Sequence, residues 1–195
     1  MHRDWHLGER LGSLPDEAVR QDALALLARD DGGEDLRELA VEVLSGDAHA
    51  GHVSDEAILS LAERVHDGSS ATAARHLIAA VHRARGLQPS MLRMIRDRWA
   101  ASVVSDAREN AVLLATEIAE PDMAFVERML ADPSADVRLT LAHRLGLDFP
   151  GGELAVGLIE ARLRVESHPD ARAALLHAEG TLIGEGRPGS KRRRS

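Results

Sequence analysis

Four side chains able to bind a metal ion through nitrogen or oxygen lie within nine residues of one predicted loop. They are Asp47, His49, His52 and Asp55, and zinc accepts imidazole and carboxylate ligands in a tetrahedral arrangement. Their spacing matches no established zinc motif, and a loop rich in Gly, Ala, His and Asp is typical of a solvated turn. We therefore predict no bound metal and no other cofactor, with His49 and His52 as weak candidates only.

A second group of polar side chains falls on predicted helices and could line a binding groove. His143 and His177 each follow the aspartate of an Asp-x-Arg motif by seven residues, so they are expected on one surface. With His76, Arg144 and Glu179 they could bind a ligand, or titrate between about pH 5 and 8. The commoner explanation of such a row is a half-exposed polar helix face.

The sequence contains no motif for nucleophilic catalysis or phosphate binding. No Ser-His-Asp arrangement is recognisable, and Gly184-Glu-Gly186 has neither a strand before it nor a helix after it. We therefore assign no catalytic residue and predict that the protein is not an enzyme.

The elements that would position these side chains are organised around residues 132–138, Asp-Pro-Ser-Ala-Asp-Val-Arg. Pro133 and Ser134 end one helix and begin the next, whose apolar residues recur every four positions. An aspartate, one apolar residue and an arginine open an Ala/Leu-rich helix here and at three further places: 35–37, 106–108 and 170–172. We call these four places the corners.

The same apolar spacing predicts ten helices and an all-α fold, since no segment alternates as a strand does. Residues 13–183 form the helical domain, residues 1–12 a polar N-terminal cap segment, and residues 184–195 a disordered basic tail. Trp99 is expected in the core. The corner aspartates are separated by 71, 30 and 34 residues, and the first interval equals two repeats. Five helical hairpins at a nearly fixed period predict an α-solenoid.

The corner at 132–138 and its partial copies resemble the turns of HEAT repeats, especially the short bacterial kind seen in phycobilisome-lyase-like proteins. The resemblance covers about residues 13–183 and is best at 105–183. It implies a right-handed, armadillo-like solenoid whose second helices line a concave face. It also implies that corner aspartates and arginines link neighbouring repeats, in a structural ladder of Asp35, Arg37, Asp106, Arg108, Asp136, Arg138, Asp170 and Arg172.

Charge and composition narrow the class of partner. The net charge is −8, and residues 184–195 contribute five basic residues against one acid, so residues 1–183 carry −8 − 4 = −12. Such a body repels nucleic acid and anionic membrane surfaces. There is no cysteine, and neither a signal peptide nor a membrane span is recognisable. We expect a cytoplasmic protein of unassigned oligomeric state.

Together these observations predict a non-enzymatic adaptor that binds a protein or peptide, preferably a basic one, in the concave face of the solenoid. The alternative is a HEAT-like enzyme, either a DNA glycosylase-like or a tetrapyrrole lyase-like protein. A glycosylase of that kind holds a nucleotide with Trp, Asp and Arg on a basic surface, for which Trp99 and Asp106 would be the candidates. The acidic body and the 2% aromatic content favour the adaptor.

Overall fold

Helices make up all the regular structure of the described residues. A computed structural model describes residues 17–27, 40–41, 43–44, 51–63 and 68–185, and within them there is no strand. The predicted all-α class is therefore confirmed. None of the described helices is both long enough and apolar enough to cross a bilayer. The cap segment, Asp35, Arg37 and His49 lie outside the described residues, as do residues 186–195 of the predicted tail.

The chain divides into two compact units, Met1–Gln88 and Pro89–Ser195. The described helices of the first unit are α1 (Glu17–Leu27), α2 (Asp55–Glu63) and α3 (Gly68–Arg85), and residues 40, 41, 43 and 44 are also helical. Those of the second unit are α4 (Pro89–Ala100), α5 (Ser105–Ala115), α6 (Met123–Leu130), α7 (Ala135–Leu145), α8 (Val156–Leu163) and α9 (Pro169–Glu185). A short 3-10 helix, Gly152–Ala155, precedes α8.

Local sequence explains where these helices begin and end. The Ser54 hydroxyl accepts a hydrogen bond of 3.2 Å from the Ala57 N–H and caps α2. The Asp122 carboxylate caps α6 in the same way, through the Phe125 N–H at 3.0 Å. Pro89 and Pro169 occupy the first positions of α4 and α9, where no intrahelical N–H bond is lost. Gly86, at φ 73°, ends α3.

The first unit has an apolar core between α2 and α3, which pack against each other. Ile58 of α2 and Leu77 and Ile78 of α3 are fully buried there. The buried residues recur at helical spacing within each helix: Ile58 and Ala62 on α2, and Ala74, Leu77, Ile78 and Val81 on α3. Each helix therefore turns one apolar face to the core.

In the second unit, helices pack both against a consecutive helix and against the helix two positions along the chain. Helix α5 packs against α4 and α7, and α7 packs against α9. Helix α6 packs against α7 and α8, and α8 packs against α9. The helices that open at corners, α5, α7 and α9, therefore follow one another in space as they do in sequence. We call these three the second helices.

Aromatic side chains lie in the core of the second unit. Trp99 of α4 is 2% exposed, which confirms its predicted core position. Phe125 of α6 is buried too, and the Arg96 guanidinium lies 4.4 Å from its ring centroid. Arg96 is itself buried and donates to the Asp122 carboxylate at 2.6 Å. An arginine over an aromatic face with a carboxylate beside it is a favourable way to bury a charge.

The turn before the 3-10 helix requires glycine, and this gives a first testable expectation. Gly151 has φ 69°, and a Cβ there would stand 2.6 Å from the Cβ of Pro121. Replacing Gly151 with alanine should lower the free energy of unfolding by about 1–3 kcal/mol. Urea denaturation would measure the loss.

Gly157 provides the matched control for Gly151. It lies inside α8, and a Cβ there would meet nothing within 4 Å. Gly157→Ala should therefore raise stability by about 0.5–1 kcal/mol, because alanine is the better helix former. Equal effects from the two alanine substitutions would contradict this interpretation of the turn.

Candidate functional site

Two corner arginines, Arg108 and Arg138, join their corners to the turn of the following repeat. Nε and Nη2 of Arg108 donate to the two carboxylate oxygens of Asp132 at 2.7 and 3.0 Å. Its Nη1 donates to the carbonyl oxygens of Ser102 and Val103, both at 3.0 Å. Arg108 therefore binds its own turn with one nitrogen and the next turn with the other two.

Arg138 repeats this arrangement one repeat later. It donates to both oxygens of Glu166 at 2.7 and 2.8 Å, and to the carbonyl oxygens of Asp132 and Pro133 at 2.7 and 3.1 Å. The Glu166 side chain is 0% exposed and that of Arg138 is 8% exposed. Arg162 adds a third contact to Glu166 at 2.9 Å. The second pair is thus a buried, bidentate ion pair of the strong kind.

The acids of these pairs are not the predicted ones. Asp106, Asp136 and Asp170 are exposed in the first turns of their helices, where they face the positive end of the helix dipole. The bonded carboxylates, Asp132 and Glu166, each stand four residues earlier. There they also accept the backbone N–H two residues on, from Ser134 at 2.8 Å and from His168 at 2.9 Å.

A sequence signal for these acids exists. Ser102, Asp132 and Glu166 each precede a corner arginine by six residues, and Ser102 also accepts the N–H two residues on, at 3.1 Å. The same turn therefore carries a polar acceptor at one fixed position in the three corners that the structure describes.

Three residues of the predicted ladder remain, namely Arg172, Asp35 and Arg37. Arg172 is exposed, and its guanidinium donates to the carbonyl oxygen of Leu163. Asp35 and Arg37, as stated above, are not among the described residues. The ladder of bidentate pairs thus links α5 to the turn before α7, and α7 to the turn before α9.

A surface cavity between α5 and α7 contains two of the predicted groove residues. Its volume is about 380 Å³, and it is lined by Leu113, Thr140, His143, Arg144 and Leu147. Arg144 forms an exposed ion pair of 3.0 Å with Asp148. Leu147 is 74% exposed. The cavity therefore combines apolar side chains with an imidazole and a guanidinium at its edge.

Carboxylates lie beside this cavity. The Thr140 hydroxyl donates to Glu109 at 3.2 Å. Burial raises the pKa of Glu109, the hydrogen bond from Thr140 opposes this, and the charges of Asp136 and Asp106 raise it further. The positive charge of Arg108 lowers the pKa of Glu109. Asp106 and Asp136 therefore lie close enough to Glu109 to act on its charge, and Arg108 partly offsets them. We call the cavity and these three acids the α5–α7 groove.

The other predicted groove residues are distributed over two units. His177 and Glu179 lie on α9, the first exposed and the second half-buried. His76 lies on α3 of the first unit, and its pKa is lowered by burial and by the charges of Arg75 and Arg83. The structure therefore brings together His143 and Arg144, but it places His76 in a separate unit.

The candidate metal loop is described only from residue 51 onward. His52 is exposed, and Asp55 forms an ion pair with Arg85. Arg85 also donates to the carbonyl oxygen of Val53 at 3.0 Å. No group of three or more potential metal-binding side chains is found within the described ranges.

A second cavity lies in the first unit, between α1 and the α2–α3 pair. Its volume is about 290 Å³, and Leu24, Ala57, Leu61 and Leu77 provide most of its lining. None of the predicted site residues reaches it. The α5–α7 groove is therefore the better candidate for a functional site, because it combines shape, charge and apolar surface.

Comparison of the chain with protein-family models, curated proteins and solved structures found no match.

Proposed function

We propose that this protein is a non-enzymatic adaptor whose second unit is a short HEAT-like α-solenoid. The proposal is supported by the stacking order of the second helices, in which α5 packs against α7 and α7 against α9. It is also supported by the arginine pairs that recur at equivalent positions along this stack. In such an array each repeat is stabilised by its neighbours, and one row of helices is available for binding.

The partner that best fits the α5–α7 groove is a basic segment with an apolar residue next to its positive charge. The observation that carries this choice is the juxtaposition of Glu109, Asp106 and Asp136 with a cavity lined by Leu113 and Leu147. Carboxylates in a partly buried position attract a cation more strongly than fully solvated ones do. The overall charge of −8 acts in the same direction.

The glycosylase-like alternative has less support. A tryptophan that stacks on a nucleotide must be accessible, whereas Trp99 is 2% exposed in the core. The neighbouring candidate, Asp106, belongs to a cluster of acids, and a cluster of this charge repels phosphate. We therefore retain the adaptor as the proposed function.

Peptide binding tests this proposal. A fluorescein-labelled helical peptide with Lys and Leu one turn apart should bind, and the same peptide with Glu in place of Lys should not. Raising the salt from about 50 mM to about 500 mM should weaken binding severalfold. The double variant Glu109→Gln/Asp136→Asn should raise Kd about tenfold, since two of the attracting charges are removed. Fluorescence anisotropy measures Kd for each peptide, salt concentration and variant.

Glu127→Gln is the matched control for these variants. Glu127 is exposed on α6, outside the α5–α7 groove, so its neutralisation lowers the net negative charge without changing the groove. We expect Kd to change less than about twofold. Equal binding of the acidic peptide, or equal effects of the groove and control variants, would refute the proposed partner class.

A further inference from the structure

One stripe of side chains on α9 differs from its counterparts on the other second helices. It consists of Arg172, Leu176, Glu179 and Ile183, at spacings of four, three and four residues, so these side chains lie along one helix face. Arg172 is exposed, Leu176 is 50% exposed and Ile183 is 45% exposed. We call this set the α9 stripe.

The same stripe is covered on α5 and α7. Counting from the corner arginines, Leu176 occupies the position of Val112 and Ala142, both 0% exposed. Glu179 occupies the position of Ala115 and Leu145, which are also buried. This is the side on which Arg108 and Arg138 reach the turn of the next repeat. The α9 stripe is therefore the repeat-facing side of its helix, with Arg172, Leu176 and Ile183 exposed and Glu179 half-buried.

The adjacent end of α8 is polar by contrast. Glu160 and Arg164 lie six and two residues before Glu166. The equivalent residues before Asp132 are Val126 and Leu130 of α6. The two apolar residues are buried, whereas Glu160 and Arg164 are exposed. A polar end of this kind is what terminal repeats need for solubility. At the positions that face the next layer, α9 therefore exposes apolar side chains, whereas α8 exposes charged ones.

We propose that the α9 stripe binds the α9 stripe of a second copy of this chain, with the two helices antiparallel. The α9 stripe is self-complementary. Arg172 and Glu179 are seven residues apart, and Leu176 lies next to their midpoint. A twofold axis through that midpoint places each Arg172 opposite Glu179 of the partner subunit and packs the two Leu176 side chains together.

The chemistry of the repeat interface supports this pairing. Arg108 and Arg138 each bind a carboxylate from the neighbouring layer in a bidentate manner. Arg172 occupies the same position, and in the dimer its carboxylate comes from a second copy. A single crossing of two helices buries less than about 1,200 Å², so association in the micromolar range is expected.

Sedimentation velocity on the full chain, from about 10 to about 500 µM, tests the proposal. The wild type should show a concentration-dependent dimer. Arg172→Glu and Glu179→Arg should each be monomeric, because each places like charges opposite one another. A mixture of these two variants should regain the dimer, since every pair across the heterodimer is again of opposite charge. Rescue of this kind is not expected if either variant merely misfolds.

Two controls complete the experiment. Leu176→Glu should abolish the dimer in the wild-type background, because it puts two charges at the centre of the interface. Arg164→Glu, at the same end of the second unit but directly after α8, should leave the dimer unchanged. A wild type that stays monomeric over the whole concentration range would overturn the proposal. So would a mixture of Arg172→Glu and Glu179→Arg that stays monomeric.

Discussion

Replacing Arg138 with alanine should lower the free energy of unfolding of the second unit by about 3–5 kcal/mol. The substitution leaves the Glu166 carboxylate, which is 0% exposed, with Arg162 as its one remaining cationic partner. It also removes the donor of the carbonyl oxygens of Asp132 and Pro133. A buried carboxylate that loses its bidentate partner and two carbonyl oxygens that lose their donor both destabilise the folded state. Urea denaturation followed by Trp99 fluorescence in a Trp5→Phe background would report the loss.

An exposed ion pair made by another arginine of α7 is the control for Arg138→Ala. Arg144 and Asp148 are bonded at 3.0 Å with side chains 37% and 51% exposed. Arg144→Ala should therefore cost less than about 1 kcal/mol. The double variant Arg138→Met/Glu166→Met should recover part of the loss seen for Arg138→Ala, because it removes both members of the buried pair. Similar losses for Arg138→Ala and Arg144→Ala would contradict the proposed role of the buried pair.

Low pH should lower the free energy of unfolding of the second unit through protonation of Glu166. Hydrogen bonds from Arg138 lower the pKa of Glu166 from 4.5 to about 2 against the opposing effect of burial, and bonds from the His168 N–H and Arg162 add to this. Because the folded-state pKa is the lower one, the stabilisation is complete above about pH 4.5 and is lost as the pH falls toward 2. Between pH 7 and about pH 3 the loss should be about 2 kcal/mol.

Glu166→Gln isolates this contribution from other titrating carboxylates. The variant should be less stable than the wild type at pH 7, and the difference should shrink by about 2 kcal/mol when the pH is lowered to about 3. Urea denaturation at several pH values measures both curves. A difference that stays constant across this range would show that Glu166 has the same pKa in the folded and unfolded states.

The helices could be predicted because their signals are local. Proline, serine and aspartate mark their beginnings, and apolar residues recur at helical spacing within each segment. Trp99 was assigned to the core on composition and charge, and it lies there. The 3-10 helix Gly152–Ala155 was not predicted, since four residues are too few to show a periodic pattern.

The arginine pairs could be predicted only in part, because their two members are far apart in sequence. Arg108 and Asp132 are separated by 24 residues, and Arg138 and Glu166 by 28. The corner motif identifies the arginine, but the nearest acid in that motif points to solvent. A partner two helices away becomes apparent only when the stacking of the second helices is known.

The residues of the α5–α7 groove could likewise be predicted only in part. His143 and Arg144 are neighbours in sequence and line one cavity. Glu109 was not singled out, and it enters the site through contacts made across two helices. His76 resembles the other histidines in its helical context, but the division of the chain at Gln88–Pro89 places it in another unit. No residue pattern on α3 indicates that division.

The constant length of the corners determines where this chain tolerates insertions. The acceptor and the arginine are six residues apart at 102–108, 132–138 and 166–172. Each of the first two arginines binds the first residue of its own segment and the first residue of the next segment. The segment between α5 and α6 spans 116–122, whereas that between α7 and α8 spans 146–155. Length variation therefore belongs between repeats, and a peptide tag or a fused domain inserted at the exposed residues 119–120 leaves the corners unchanged.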